Sequence, residues 1–155
     1  MTNPGEVSTL RPVTESDRLA LATFTCRAYR EPWTDVIEEM VRDRLADELE
    51  LGNVDAAGIC CDDELCGVVA WRLDDSSPPL CRSILLAVRT GHRRRGIGRR
   101  LKDHLLVQAR VAGAAAVVSL VHWDNDPMIE LNVQLGANVE RLPGDNDHCR
   151  CVIAL

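Results

Sequence analysis

The chain has 155 residues, 46% of them hydrophobic, which suits one ordinary domain, 1–155, with enough apolar material for a packed core. Its net charge of −6 argues against general nucleic-acid binding, and no apolar run reaches the length of a membrane span. The N-terminus has neither the basic nor the apolar stretch of a signal peptide, so a cytoplasmic location is expected.

Val7 to Val13 reads as a short strand. Thr14 with Asp17 resembles a capping box and opens a helix to about Tyr29. Glu31-Pro32-Trp33 breaks the chain before a second helix, from about Thr34 to Glu50. Its Ile37, Val41, Leu45 and Leu49 fall on one face, and Gly52-Asn53 ends it. Val54 to Cys61 and Leu65 to Leu73 read as strands of an antiparallel hairpin around the short polar Asp62-Asp63-Glu64. A loop from Asp74 to Pro79 leads to a strand from Cys81 to Val88. The unalternating run Ile84 to Val88 suits a central strand buried on both faces.

Arg89 to Arg95 is a loop, followed by a helix from Gly96 to about Ala112. Its inward face is Ile97, Leu101, Leu105 and Ala112, and Gly113 ends it. Ala115 to Val121 is a strand, parallel to Cys81–Val88 under the right-handed crossover rule. Asp126-Pro127 supplies the N-cap and first turn of a short helix with Met128, Leu131 and Leu135 as its stripe. Val139 to Leu142 and His148 to Ala154 close the chain as a hairpin. The expectation is an α+β domain with a mixed central sheet of about seven strands and four helices.

Residues 31–64 carry twelve acids and two arginines, whereas residues 89–100 carry six arginines and His92 with no acid. One basic pole on an acidic chain suggests a compact polyanionic ligand held locally. The single lysine, Lys102, reads as coding bias toward arginine. The seven cysteines (Cys26, Cys60, Cys61, Cys66, Cys81, Cys149 and Cys151) show no repeated spacing and read as reduced, buried small hydrophobes. Zinc is the rival, through Cys60, Cys61 and Cys66 or His148, Cys149 and Cys151, but neither group has the C-x-x-C pairs of a structural site. No metal is expected.

The informative stretch runs from Leu85 to Leu101: a strand, a loop of glycines and arginines, then a helix. A helix start offers amides without intrahelical acceptors, and its dipole favours phosphate. Gly96 and Gly98 let the backbone approach the anion closely, and the arginines add charge-assisted hydrogen bonds. The P-loop ending Gly-Lys-Ser/Thr is absent, and Gly96-Ile97-Gly98 after a basic loop is not the dinucleotide fingerprint. What remains is Arg93-Arg94-Arg95-Gly96-Ile97-Gly98, with Val88 at the strand end upstream and Asn125-x-x-Met128-x-x-Leu131-Asn132-x-x-Leu135-Gly136-Ala137 downstream.

On these residues the chain resembles the GCN5-related N-acetyltransferase (GNAT) family over nearly its whole length. The first segment is similar to the family's R/Q-x-x-G-x-G/A pattern. The second is similar to its N-x-x-A-x-x-F/L-Y-x-x-x-G-F stretch. The resemblance implies a sheet whose parallel pair, Cys81–Val88 and Ala115–Val121, splays apart to hold coenzyme A. Acetyl-CoA would be the co-substrate. Its pantetheine arm would pair with Leu86, Ala87 and Val88, and its pyrophosphate would sit on Arg93, Arg94, Arg95, Gly96, Ile97, Gly98 and Arg99. Asn125 would contact the cofactor or serve as a plain N-cap. The amide near Leu86 would polarise the acetyl carbonyl. An amine would attack directly, with no covalent enzyme intermediate.

One position departs from the family. Where a tyrosine often bonds the coenzyme A sulfur, this chain has Asn132. An amide donates a hydrogen bond but is no general acid near neutral pH. Asn132 is either a catalytic donor or a polar residue bonding the cofactor amides. His122, just before Asp124, has the chemistry of a base, or is a solvated strand-end residue. His148 is a lesser candidate, His104 reads as solvent-facing, and His92 as part of the cofactor loop. Trp123 walls the acceptor site or covers the sheet end.

In this fold the acceptor cleft would be lined by segments carrying Asp35, Glu38, Glu39, Asp74, Asp75, Asp145 and Asp147, which would attract a cationic small-molecule or peptide amine, unless these charges are merely solvated faces. The alternative function is an acyl-CoA-binding regulatory module with little turnover, suggested by Asn132. A nucleic-acid binder using the arginine run is disfavoured by the acidity and the five scattered aromatics. No membrane partner is expected, and family habit makes a homodimer an open option.

Overall fold

A computed structural model of the chain describes residues 8–12 and 54–155. The helices expected over 14–29 and 34–50 lie outside the described residues, as do Asp35, Glu38 and Glu39. Seven strands form one sheet: β1 (Ser8–Pro12), β2 (Asp55–Cys61), β3 (Glu64–Leu73), β4 (Leu80–Val88), β5 (Ala116–His122), β6 (Asn138–Leu142) and β7 (Asp145–Ala154), in the order β1-β2-β3-β4-β5-β7-β6. Two α-helices complete the described part, α1 (Ile97–Val111) and α2 (Asp126–Gln134). β4 and β5 are parallel, while β1–β2, β5–β7 and β6–β7 are antiparallel, so the sheet is mixed as expected. Among the described residues no helix is long and apolar enough to cross a membrane.

The chain divides into two compact units, residues 1–70 with 85–102, and residues 71–84 with 103–155. In the first, β2 and β3 form the expected hairpin. Asp62 and Asp63 both take positive φ, 51° and 65°, as a two-residue turn of the type that matches strand twist requires. Aspartate tolerates this region because its short polar side chain satisfies nearby backbone. Val54, Cys60, Leu65, Val68, Ala70, Leu85 and Ala87 form a buried cluster. Cys61 and Cys66 flank the turn as a disulfide, Cα–Cα 6.0 Å, which corrects the reading of all cysteines as reduced. The two-residue turn sets Cys61 opposite Glu64, so Cys66 is its diagonal neighbour on the same face of the hairpin, a proximity their spacing in the chain does not show.

The start of α1 packs on the strands because Gly67 of β3 has no side chain. A Cβ there would lie 2.6 Å from Ile97 Cγ2 and 3.0 Å from Leu101 Cδ1. The buried face of α1 is Ile97, Leu101, Lys102, Leu105, Leu106 and Ala109. Ala112, expected inward, lies past the last helical turn and is exposed. Lys102 is 1% exposed, so the chain's one lysine is a core residue and not an incidental surface one.

In the second unit β5 lies against β7, and β7 against β6. α1 ends in a Schellman cap, with Gly113 at φ 74° donating to Arg110 O and Ala114 N to Ala109 O. α2 ends the same way at Gly136, φ 90°, through Gly136 N to Val133 O and Ala137 N to Asn132 O. Trp123, Met128, Ile129 and Ala137 pack on Val121, Cys149 and Cys151. Asn132 is the fully buried residue of α2, while Met128, Ile129 and Leu131 along it and Leu135 at its C-cap are all half-buried. The helix begins one residue earlier than expected, with Asn125 at the N-cap position and Asp126 in the first turn.

Candidate active site

β4 delivers the chain into the basic loop. Its Cys81, Leu85 and Ala87 are buried and the residues between them half-buried, so one face is better covered than the expectation of two equal faces. The parallel register joins Leu80–Ser83 to Ala116–Ser119, and β4 continues to Val88 and β5 to His122 beyond the last registered pair. Leu86, Ala87 and Val88 all lie in this continuation.

After β4 the chain is pinned and turned. Arg89 N donates to Cys66 O at 2.8 Å, and its guanidinium pairs with Glu64 at 2.7 Å. A short 3-10 turn, Thr90–His92, follows, and His92 N donates to Arg89 O. Arg93 Nε reaches back to Val88 O at 3.0 Å. Arg94 adopts φ 64° and Gly96 φ 79°. A left-handed arginine is uncommon and costs about 1 kcal/mol or more. Alternating right- and left-handed residues turn successive amides toward one point, a concavity that suits an anion.

Arg100 N donates to Gly96 O at 3.0 Å, so the helical ladder starts at Gly96. The amides of Ile97, Gly98 and Arg99 point ahead of that first bond, where the helix dipole is positive. Arg94, Arg95, Arg99 and Arg100 are exposed around the turn, and Ile97 is buried. The cradle expected from Arg93 to Arg99 is thus one continuous turn and helix start.

The other cluster stands at the end of β5, within the second unit. Register pairs His122 with His148. Their rings meet edge to face, centroids 5.2 Å apart at 82°. His148 Nδ1 lies 3.0 and 3.2 Å from the two Asp145 oxygens. Asp145 Oδ1 also accepts the amides of Asp147 at 2.9 Å and His148 at 3.0 Å. The Asp147 amide, with the His148 contacts, holds the Asp145 carboxyl below the usual carboxylate range against an opposing desolvation. An ionised Asp145 places the His148 proton on Nδ1 and leaves Nε2 as an acceptor in the neutral ring.

His122 Nδ1 contacts Asp124 Oδ1, and Asp124 N also approaches Nδ1 at 3.4 Å. One nitrogen cannot both donate and accept. The carboxylate is the closer and the charged partner, so Nδ1 carries the proton and Nε2 the lone pair. The two side chains are 43% and 42% exposed, open enough to meet a substrate. Trp123 covers the sheet end beneath Arg141, whose guanidinium sits 5.4 Å from the ring centroid. His104, expected in solvent, is half-buried against Trp71, centroids 5.9 Å apart.

Asn125 occupies the N-cap of α2 but makes no side-chain capping bond, so its exposed amide is not used for that purpose. Asn132 is fully buried. Its Nδ2 donates to Met128 O at 2.8 Å, while Oδ1 has no partner among the described residues. Asp74 is tied down by the Ser76 hydroxyl, the Leu80 amide and Arg82, which lower its carboxyl in that order of effect.

The sequence singled out both histidines but did not bring them together, because the pairing of β5 with β7 was not read. Asp145 was read as part of the hairpin loop, not as the strand residue that holds His148.

Residues 19–137 match the acetyltransferase (GNAT) family. A search of curated sequences finds no match. Among solved structures, the chain is similar to the PaiA N-acetyltransferase of Thermoplasma acidophilum in complex with coenzyme A, with TM-score 0.79 and 15% identity over 96% of this chain and 99% of that one. It is similar to Arabidopsis thaliana NAA60 in complex with a bisubstrate analogue, with TM-score 0.74 and 17% identity over 96% and 99% of the two chains. It is also similar to the ribosomal-protein-S18-alanine N-acetyltransferase of Escherichia coli, with TM-score 0.71 and 19% identity over 96% and 93%.

Proposed function

Because the chain belongs to the GNAT acetyltransferase family, we propose that 1–155 is a single N-acetyltransferase domain passing an acetyl group from acetyl-CoA directly to a primary amine. The observation that carries this is the turn Arg94–Gly96, two left-handed residues feeding a helix start. A built anion cradle behind a strand end fits a pyrophosphate, and the residues present fit coenzyme A. Acetyl-CoA supplies an activated acetyl thioester there.

This chain's residues then have the following work. The amides of Arg94 to Arg99 and their guanidiniums bind the pyrophosphate, and Arg93 braces the loop from Val88 O. The backbone of Leu86, Ala87 and Val88 pairs with the pantetheine, and the Leu86 amide hydrogen-bonds the carbonyl oxygen where negative charge develops. The uncapped amide of Asn125 also binds the cofactor. His122 takes the amine's proton on Nε2, and Asp124 at Nδ1 steadies the resulting cation. Asn132 has its Nδ2 on Met128 and supplies no proton to the leaving sulfur, so water does. The acceptor is a cationic small molecule or a peptide amine, drawn by Asp75, Asp124 and Asp147, which are exposed. Asp74 and Asp145 contribute less, since backbone amides already take up each carboxylate.

The second reading is an acyl-CoA-binding module with little turnover, favoured by the burial of Asn132 where the family often has its proton donor. Mass spectrometry of an amine panel incubated with protein and acetyl-CoA decides between them. Enzyme-dependent gain of one acetyl group on an amine supports the transferase. Tight binding without any product favours the module. No binding of coenzyme A would defeat both.

A further inference from the structure

We propose that His148, held by Asp145, is a positioning residue for the His122 ring, so that the turn between β6 and β7 sets the orientation of the base. This rests on the reading of His122 as that base.

The chain of contacts is continuous. The turn closes through Gly144 at φ 80° and delivers Asp145. Two backbone amides, from Asp147 and His148, fix the Asp145 carboxylate. That carboxylate takes His148 Nδ1 with both oxygens, which sets the plane of the His148 ring. The ring then meets His122 edge to face across the strand pair. Edge-to-face contact is the favoured geometry of neighbouring rings and resists rotation of either one.

His122 needs such support. It is the last residue of β5, its side chain is half-exposed, and Asp124, the carboxylate on its Nδ1, is 78% exposed. A ring held only from that side would rotate about its side-chain bonds and carry Nε2 away from the amine. The support from His148 comes from a second strand and a carboxylate fixed by backbone. Orientation of a reacting group governs rate steeply, so the effect belongs in kcat and not in cofactor binding.

The experiment compares acetyl-transfer kinetics of the full chain with His148→Ala, His148→Phe and Asp145→Ala, alone and with His122→Gln. His148→Ala is expected to lower kcat roughly tenfold without changing KM for acetyl-CoA. His148→Phe keeps a ring edge and should recover most of that loss. In the His122→Gln background His148→Ala should cost nothing further. A merely structural His148 would still cost rate there, and that result, or failure of Phe to recover the rate, overturns the proposal. Proton NMR of the His122 ring supplies a readout independent of turnover. Its resonances should move in His148→Ala and in Asp145→Ala, and unmoved resonances overturn the contact itself. Moved resonances in a protein that acetylates no amine support the contact and defeat the reading of His122 as the base.

Discussion

Arg94 carries two opposed effects at one position. Its backbone stands at φ 64°, where a side chain is strained, and its guanidinium is exposed at the turn proposed to hold the pyrophosphate. Arg94→Gly removes both. Relief of the left-handed strain should raise unfolding stability by about 1 kcal/mol, while loss of the cation should weaken coenzyme A binding several-fold. Thermal melts and titration calorimetry on the same variant check the two signs. A fall in both would mean that Arg94 holds the loop together and does not strain it. Asp145 gives a pH test of similar kind. Its folded carboxyl titrates below the ordinary 3.8, so ionisation favours the folded state. That contribution is fully present above 3.8 and is lost as pH falls through the lower folded value. The melting-temperature gap between the native chain and Asp145→Asn should therefore be open at neutral pH and close on acidification. A gap independent of pH would show that the carboxylate's charge contributes nothing.

Elements were legible where the signal was local. The β2–β3 hairpin was readable because two aspartates between apolar runs announce a turn, and α1 because glycines bound it at both ends. α2 begins one residue earlier than the sequence predicts, and its expected stripe of Met128, Leu131 and Leu135 is half-buried while Asn132 takes the fully buried position. A polar amide in the buried face of a short helix defeats a reading by apolar period. Gly67 was invisible for a different reason. Nothing in a strand's own sequence shows which helix crosses it. The crossing is close enough that Gly67→Ala must displace Ile97 Cγ2 from 2.6 Å, and Ile97 is a stiff, buried, β-branched residue at the first turn of α1. Overpacking of this kind costs about 1–3 kcal/mol. Because the displaced residue lies inside the cradle, Gly67→Ala should also weaken coenzyme A binding, from a position with no expected contact to the ligand. Denaturant unfolding and a coenzyme A titration test the pair of effects. Lost stability with unchanged affinity would mean that the core absorbs the methyl group without moving the helix start.

For the whole molecule the governing fact is a net charge of −6 with six arginines gathered in residues 89–100. The long-range field of the chain repels a polyanion, and only the local field of this arginine cluster attracts one, which is where the proposed cradle lies. Order of elements and this charge asymmetry are both open to the sequence, which is why the family and the turn into α1 are readable from it. The two histidines needed strand register, which residue order does not state. The balance of fields has a measurable consequence. Charges beyond a screening length, about 10 Å at 0.1 M salt, cease to act on one another. Raising salt therefore removes the distant repulsion first and the cradle's attraction only at higher concentration. Coenzyme A affinity should hold or rise slightly at low salt and then fall as the screening length drops toward about 3 Å near 1 M. A steep monotonic loss from the lowest salt would mean that arginines well outside the cradle also act on the ligand. KM for a cationic acceptor should behave differently, rising from the first addition of salt, because the net charge and the exposed carboxylates Asp75, Asp124 and Asp147 attract it together. A neutral amine measured in the same series should show no such rise. If both acceptors respond alike, the carboxylates do not select the substrate by charge.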